Sequence, residues 1–156
     1  MKQTVQFDDI DRRILALVQR DATLSNATRA EQVGASAASC WRRMRAMEDA
    51  GLLKDTVRLV DPKKLGLGVT VLCQVRLKSH NHEQGKKFEA FVVNQGEILE
   101  CYSISGEWDY QLRIAVANVA DYELFLMHTL LHHPVVAAAS SHFALRQVKY
   151  TTALPV

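Results

Sequence analysis

Arg42, Arg43 and Arg45 stand within four consecutive positions, behind Ser36 and Ser39. A guanidinium presents a rigid fork of donors that pairs with guanine edges and with phosphate oxygens, so the grouping suits double-stranded DNA; the plainer alternative is a solvated helix face. On a helical wheel centred on Met44, the residues Ala37, Cys40, Trp41, Met44, Met47 and Glu48 fall on one side. Ser39, Arg42, Arg43 and Ala46 fall on the other, with Arg45 at the flank. The predicted DNA-contacting set is Ser36, Ser39, Arg42, Arg43 and Arg45. The whole chain carries 19 Lys and Arg against 17 Asp and Glu, a net charge of only +2. Non-specific attraction per copy is then weak, and binding calls for two copies on two half-sites.

The six histidines are the other candidates. His128 and His132 lie four apart on a predicted helix with His133 adjacent, and His80 and His82 form an HxH pair, spacings that a zinc or copper ion can use. No Glu follows His128, so the HExxH arrangement is missing, and surface or interface histidines are the plainer reading. A metal-sensing transcriptional regulator using these C-terminal histidines is the alternative function. No nucleophile has an evident base: Cys101 stands alone, neither a GxSxG elbow nor a GxxxxGK(S/T) loop occurs, and Glu97, Glu100 and Glu107 show no pairing. We expect no enzyme, no catalytic residue, no metal and no cofactor. Cys40, Cys73 and Cys101 are too few and too scattered for a disulfide scaffold, and reduced, buried thiols are expected.

The elements that position these residues follow from the apolar pattern. The 156 residues are 48% apolar and 23% charged, enough for one compact domain or two small ones. Lys and Arg exceed Asp and Glu by two over residues 1–60 and balance over 61–156, and the periodicity changes at the same place. Ile10, Ile14, Leu15, Leu17 and Val18 form the stripe of a first helix behind Asp8 and Asp9. Ser25 and Asn26 cap a second helix that ends at Gly34, and Ser36 caps a third running to about Ala50, with Gly51 as its stop. Two short helices around the tight Gly34-Ala35 turn make a helix-turn-helix, and Leu53 to Val60 has the β character of a strand or wing. Residues 1–60 are thus a winged helix-turn-helix DNA-binding domain and 61–68 a linker opened by Asp61-Pro62. Residues 69–156 form a second domain. Its strands are Val69 to Leu77, Ile98 to Ser105, Asp109 to Val116 and Val135 to Lys149; its helices are about Glu83 to Asn94 and Asp121 to about His132. This βαββαβ order predicts an α+β, ferredoxin-like fold with both helices on one face of an antiparallel sheet. A second copy of the chain is the simplest cover for the other face. No run of about 18 apolar residues spans a membrane and the start lacks a signal-peptide pattern, so a cytoplasmic, nucleoid-associated protein without a membrane partner is expected.

With these residues in place, the sequence resembles the Lrp/AsnC (feast/famine) family of transcription regulators. The resemblance rests on DDIDRRIL, VGAS and SCWRRMRAMEDAGLL, LVDPKKLGLG, ECYSISGEWDYQLRI and SSHFALRQVKYTTALP, five segments in one order covering nearly the whole chain. It departs at Ser36-Ala37-Ala38-Ser39-Cys40, where family members commonly carry prolines beside the recognition helix. The resemblance implies a winged head and a ferredoxin-like, RAM/ACT-like domain that binds an amino-acid effector. It also implies homodimers made sheet to sheet and an octamer built from them. Effector-binding residues carried over are Ser105, Gly106, Trp108, Asp109 and Tyr110 of the hairpin with Ser141 and His142 of the last strand; Val119 and Tyr122 border them. Gly106 would free backbone N–H groups for a carboxylate and Asp109 would hold an α-ammonium, a pair that fits any free amino acid; a plain hairpin turn is the alternative. Within the family, LVDPKKLGLG, GEWDY and VKYTTALP look most similar to the branch that senses cysteine, and branches responding to branched-chain amino acids share part of the ending.

Overall fold

The computed structural model describes residues 7–156, which divide into two compact units. The first holds three helices, α1 (Asp9–Val18), α2 (Asn26–Val33) and α3 (Ala37–Asp49). Each begins at an oxygen-bearing cap: Asp8 closes a reciprocal capping box with Asp11, Ser25 accepts from the Thr28 N–H and Ser36 from the Ser39 N–H. Gly34 ends α2 with a φ of 72°, a left-handed conformation that glycine adopts without a Cβ penalty, and this permits the tight turn into α3. Ile14, Leu15, Ala30, Val33, Cys40 and Met47 make the core of this unit.

Residues 53–60 form no strand; Val57, Leu59 and Val60 are exposed. A ladder needs a neighbouring strand, and among the described residues none pairs with this segment, so the expected wing is a stretch without regular secondary structure. The far end of the chain also departs from expectation. Residues 148–156, assigned above to the second domain, belong to the first unit. The Gln19 amide explains this, because its Nε2 donates to the Leu154 carbonyl (3.2 Å) and its Oε1 accepts the Leu154 N–H (2.7 Å).

The second unit contains β1 (Val69–Leu77), α4 (His82–Val92), β2 (Ile98–Ser103), β3 (Tyr110–Val116), α5 (Val119–Phe125) and β4 (Val136–Phe143). A 3-10 turn at Lys63–Leu65 precedes them. The sheet is antiparallel throughout, in the order β2-β3-β1-β4, the ferredoxin-like arrangement. Strand alternation sends Val71, Cys73, Val75, Leu112 and Ile114 into the core with Phe88 and Leu130. The predicted last strand stops at Phe143 rather than Lys149: its partner β1 begins at Val69, and the final bond runs from the Ala144 N–H to the Thr70 carbonyl. α5 continues as a π-helical turn over Leu126–Leu130, closed by the Leu131 N–H on the Leu126 carbonyl.

Candidate DNA interface and ligand site

α3 presents a different set of side chains from the one its wheel suggested. Cys40 and Met47, seven residues apart and buried, mark the axis of its inward stripe. Arg43 lies three residues after the first and four before the second, hence on the same side. Its Nη1 lies 2.7 Å from Asp8 Oδ2 and 2.8 Å from Asp11 Oδ1, and its Nε donates to Ser39 Oγ at 3.4 Å. Hydrogen bonds to Asp11 and Asp8 raise the Arg43 pKa further; the Asp11 backbone N–H first, and then Arg43, hold the Asp8 carboxyl below its usual range. Arg43 therefore leaves the predicted DNA-contacting set, because it joins α3 to the start of α1, and the half-buried Ser39 accepts its Nε–H within α3. Ser36 is used as the cap. Centring the wheel on Met44 turned the inward side by roughly 40° and produced the misplacement.

The exposed positions of α3 are Ala37, Ala38, Trp41, Arg42, Arg45, Ala46, Glu48 and Asp49, with Arg45 paired to Glu48 at 3.2 Å. Trp41, placed inward by the wheel, is 56% exposed. Sequence reasoning missed it, although it stands about 100° around the helix from Cys40.

In the second unit the expected ligand residues do not share one cavity. Asp109 is already committed: its Oδ2 accepts the Leu77 N–H (2.7 Å), its Oδ1 meets His80 Nδ1 (2.7 Å), and its own N–H donates to the Val75 carbonyl (3.0 Å). It fastens the β2–β3 hairpin to the end of β1, so its expected role as a free carboxylate for an α-ammonium is corrected. Trp108 lies under the Arg76 guanidinium, 4.7 Å from the ring centroid, and Arg76 pairs with Glu107. Tyr110 is buried and donates to Glu89 Oε1 at 2.9 Å; burial first, then Glu89, push its pKa up to about 12. Ser141 hydrogen-bonds the Tyr122 hydroxyl on the helix side of the sheet, whereas His142 pairs with Leu72 in register and is exposed. Ser105 and Gly106 are exposed in the turn, and Gly106 has a φ of 115°.

Beside Asp109 and Tyr110 opens a cavity of about 270 Å³ lined also by His80, Lys86, Glu89 and Ser103. It carries groups of both signs, Lys86 against Glu89. Lys86 and Glu89 carried no signal in the sequence, and His80 was marked only as half of an HxH pair, since only the fold brings α4 beside the hairpin. Asp109→Ala removes the acceptor of the Leu77 N–H, and unfolding followed by calorimetry is expected to show a loss of about 1–3 kcal/mol. An unchanged melting transition would mean that the staple is dispensable.

The histidines do not gather. Among the described residues no group of three His, Cys, Asp or Glu is placed to hold a metal ion. The π-helical turn that holds His128 ends at Leu130, before His132, and His133 packs on Phe91 at 4.4 Å, where burial lowers its pKa.

Two family descriptions match the chain in order, the second running on into the tail that packs with the first unit. Residues 7–48 match the AsnC-type helix-turn-helix domain and residues 70–154 the Lrp/AsnC ligand binding domain. The chain is 38% identical over 150 residues to the DNA-binding transcriptional activator DecR of Escherichia coli K12, covering 96% of this chain and 99% of that relative. It is 36% identical to the glutamate uptake regulatory protein of Zymomonas mobilis, over 97% of this chain and 92% of that one. Among solved structures, a transcriptional regulator from Neisseria meningitidis in complex with L-Met is similar at a TM-score of 0.92 and 32% identity, covering 96% and 97% of the two chains. An AsnC family regulator from Agrobacterium tumefaciens is similar at 0.90 and 40%, with the same coverage. These relatives are transcription regulators and each spans nearly all of the chain, so helix-turn-helix and sheet domain descend together: the chain belongs to the Lrp/AsnC family of DNA-binding transcription regulators.

Proposed function

We propose that this chain is an amino-acid-responsive transcription regulator that binds double-stranded DNA as a homodimer and assembles to an octamer, controlling genes of amino-acid metabolism or transport. The observation that carries this reading is the pairing in one chain of an arginine-bearing third helix with a sheet domain whose cavity carries both signs of charge. A free amino acid is a zwitterion: Lys86 suits its carboxylate and Glu89 its ammonium, while Ser103, Ile104, Asp109 and Tyr110 of the hairpin close one side. The similarity to a regulator bound to L-Met, and to one named for glutamate uptake, supports an amino acid as the ligand class. Cysteine is the favoured side chain, on the likeness of LVDPKKLGLG, GEWDY and VKYTTALP to the cysteine-sensing branch, with branched-chain amino acids next. The dimer covers the open face of the sheet, where Leu72 and Tyr102 are exposed beside Gln74, Gln111 and Arg113.

Fluorescence anisotropy on the chain's own upstream DNA, across a salt series and with each proteinogenic amino acid, tests the proposal. Binding is expected to shift by about 5- to 150-fold with cysteine or a branched-chain amino acid, a coupling of roughly 1–3 kcal/mol. Binding that no amino acid alters would overturn it.

A further inference from the structure

We propose that Trp41 is a sequence-reading contact of the DNA-binding head, laying its indole against a thymine methyl group in the major groove. Trp41 is the fifth residue of α3, the second helix of the helix-turn-helix, whose N-terminal half meets base edges when such a motif docks. It is 56% exposed although tryptophan is among the most apolar side chains of the chain, and it shares its face with Arg42 and Arg45. Ala37 and Ala38, one turn earlier, are exposed and short, so nothing on that side of α3 holds the indole away from the groove floor. Arg43 is turned aside into Asp8 and Asp11, which leaves the indole as the bulkiest group on the outward face, between the exposed Arg42 and an Arg45 that pairs with Glu48. The C5-methyl of thymine is the apolar feature that the major groove offers, and the two arginines bring the phosphate affinity that holds the ring there. The exposed Arg42 guanidinium beside an apolar ring fits DNA better than an uncharged partner surface.

The test uses the full chain and a duplex enriched from a random pool by the wild-type protein. Each thymine of one half-site and its symmetry mate is replaced in turn by deoxyuridine, which removes the methyl group and nothing else, and affinity is read by anisotropy at fixed salt. Wild-type protein is expected to lose five- to tenfold at one thymine position and to tolerate uracil at the others. Trp41→Ala is expected to bind the parent duplex more weakly by a similar factor and to ignore uracil at that position; Trp41→Phe recovers part of the discrimination. Indifference of the wild-type protein to every uracil overturns the proposal, and this arm depends on no variant folding. So does continued discrimination by Trp41→Ala, or a change in its molecular mass without DNA, which would assign the ring to self-association.

Discussion

The Arg42→Ala protein is expected to bind its operator about a hundredfold more weakly, with its heads folded and its oligomeric mass unchanged. Arg42 is exposed on α3, so its loss removes no intramolecular support. A guanidinium on a base edge or a phosphate is worth about 1–3 kcal/mol. About 1.4 kcal/mol within that range is tenfold per head, and two heads on two half-sites multiply to about a hundredfold. The salt dependence separates the two modes: a phosphate contact makes the slope shallower by about one per copy, whereas a base contact relaxes sequence preference at one position and leaves the slope alone. Anisotropy across a salt series, on the selected duplex and on single-base variants, reads both. Binding equal to that of the parent protein would mean that α3 does not meet DNA by this face.

The contrast between Arg42 and its neighbour shows what the sequence could and could not disclose. The helices of the head were legible because each has its own local signal, Asp8, Ser25 and Ser36 at the starts and Gly34 at the turn, and such caps act through neighbours three residues away. The strands were legible for a similar reason: β1 was read as Val69 to Leu77, the bounds it has in the structure, since period-two alternation between core and open face is visible residue by residue. Failures came where a partner distant in sequence decides. The segment 53–60 has strand composition without a neighbour to pair with, and β4 ends where β1 runs out. The tail at 148–156 is claimed by Gln19, 135 residues before Leu154. Asp109 looked like a free carboxylate because Leu77 and His80, its partners, lie 32 and 29 residues earlier. Arg43 looked free because Asp8 and Asp11 belong to another helix. A lone charged residue in sequence carries no mark of whether an opposite charge awaits it in the fold.

Arg43→Ala is therefore expected to act on stability and to spare the salt dependence of DNA binding. The guanidinium makes two contacts of 2.7 and 2.8 Å with carboxylates, and its own side chain is 25% exposed. Bonds to charged groups contribute about 1.5–3 kcal/mol, but Asp8 is half exposed and water screens that arm, so most of the effect rests on Asp11 and a net loss of about 1–2 kcal/mol is expected. Local opening of the head should then be five- to thirtyfold more frequent. Hydrogen exchange on the full chain reads this directly: amides of α1 and α3 lose protection, while those of β1 and β3 keep theirs. Arg43→Lys recovers only part, because a point charge on a flexible stem does not hold two carboxylates in the fork geometry. The pH dependence has a fixed sign. The Asp8 carboxyl is depressed in the folded head, so its contribution is present above the ordinary carboxylate range and is lost as pH falls through the depressed folded value. Wild-type α1 and α3 amides should lose protection on acidification over that range, and Arg43→Ala, lacking the cation, should show a smaller further loss. Equal protection of α1 and α3 in the two proteins at neutral pH would show that the arginine is not a tie between the helices, and would return it to the DNA-facing set.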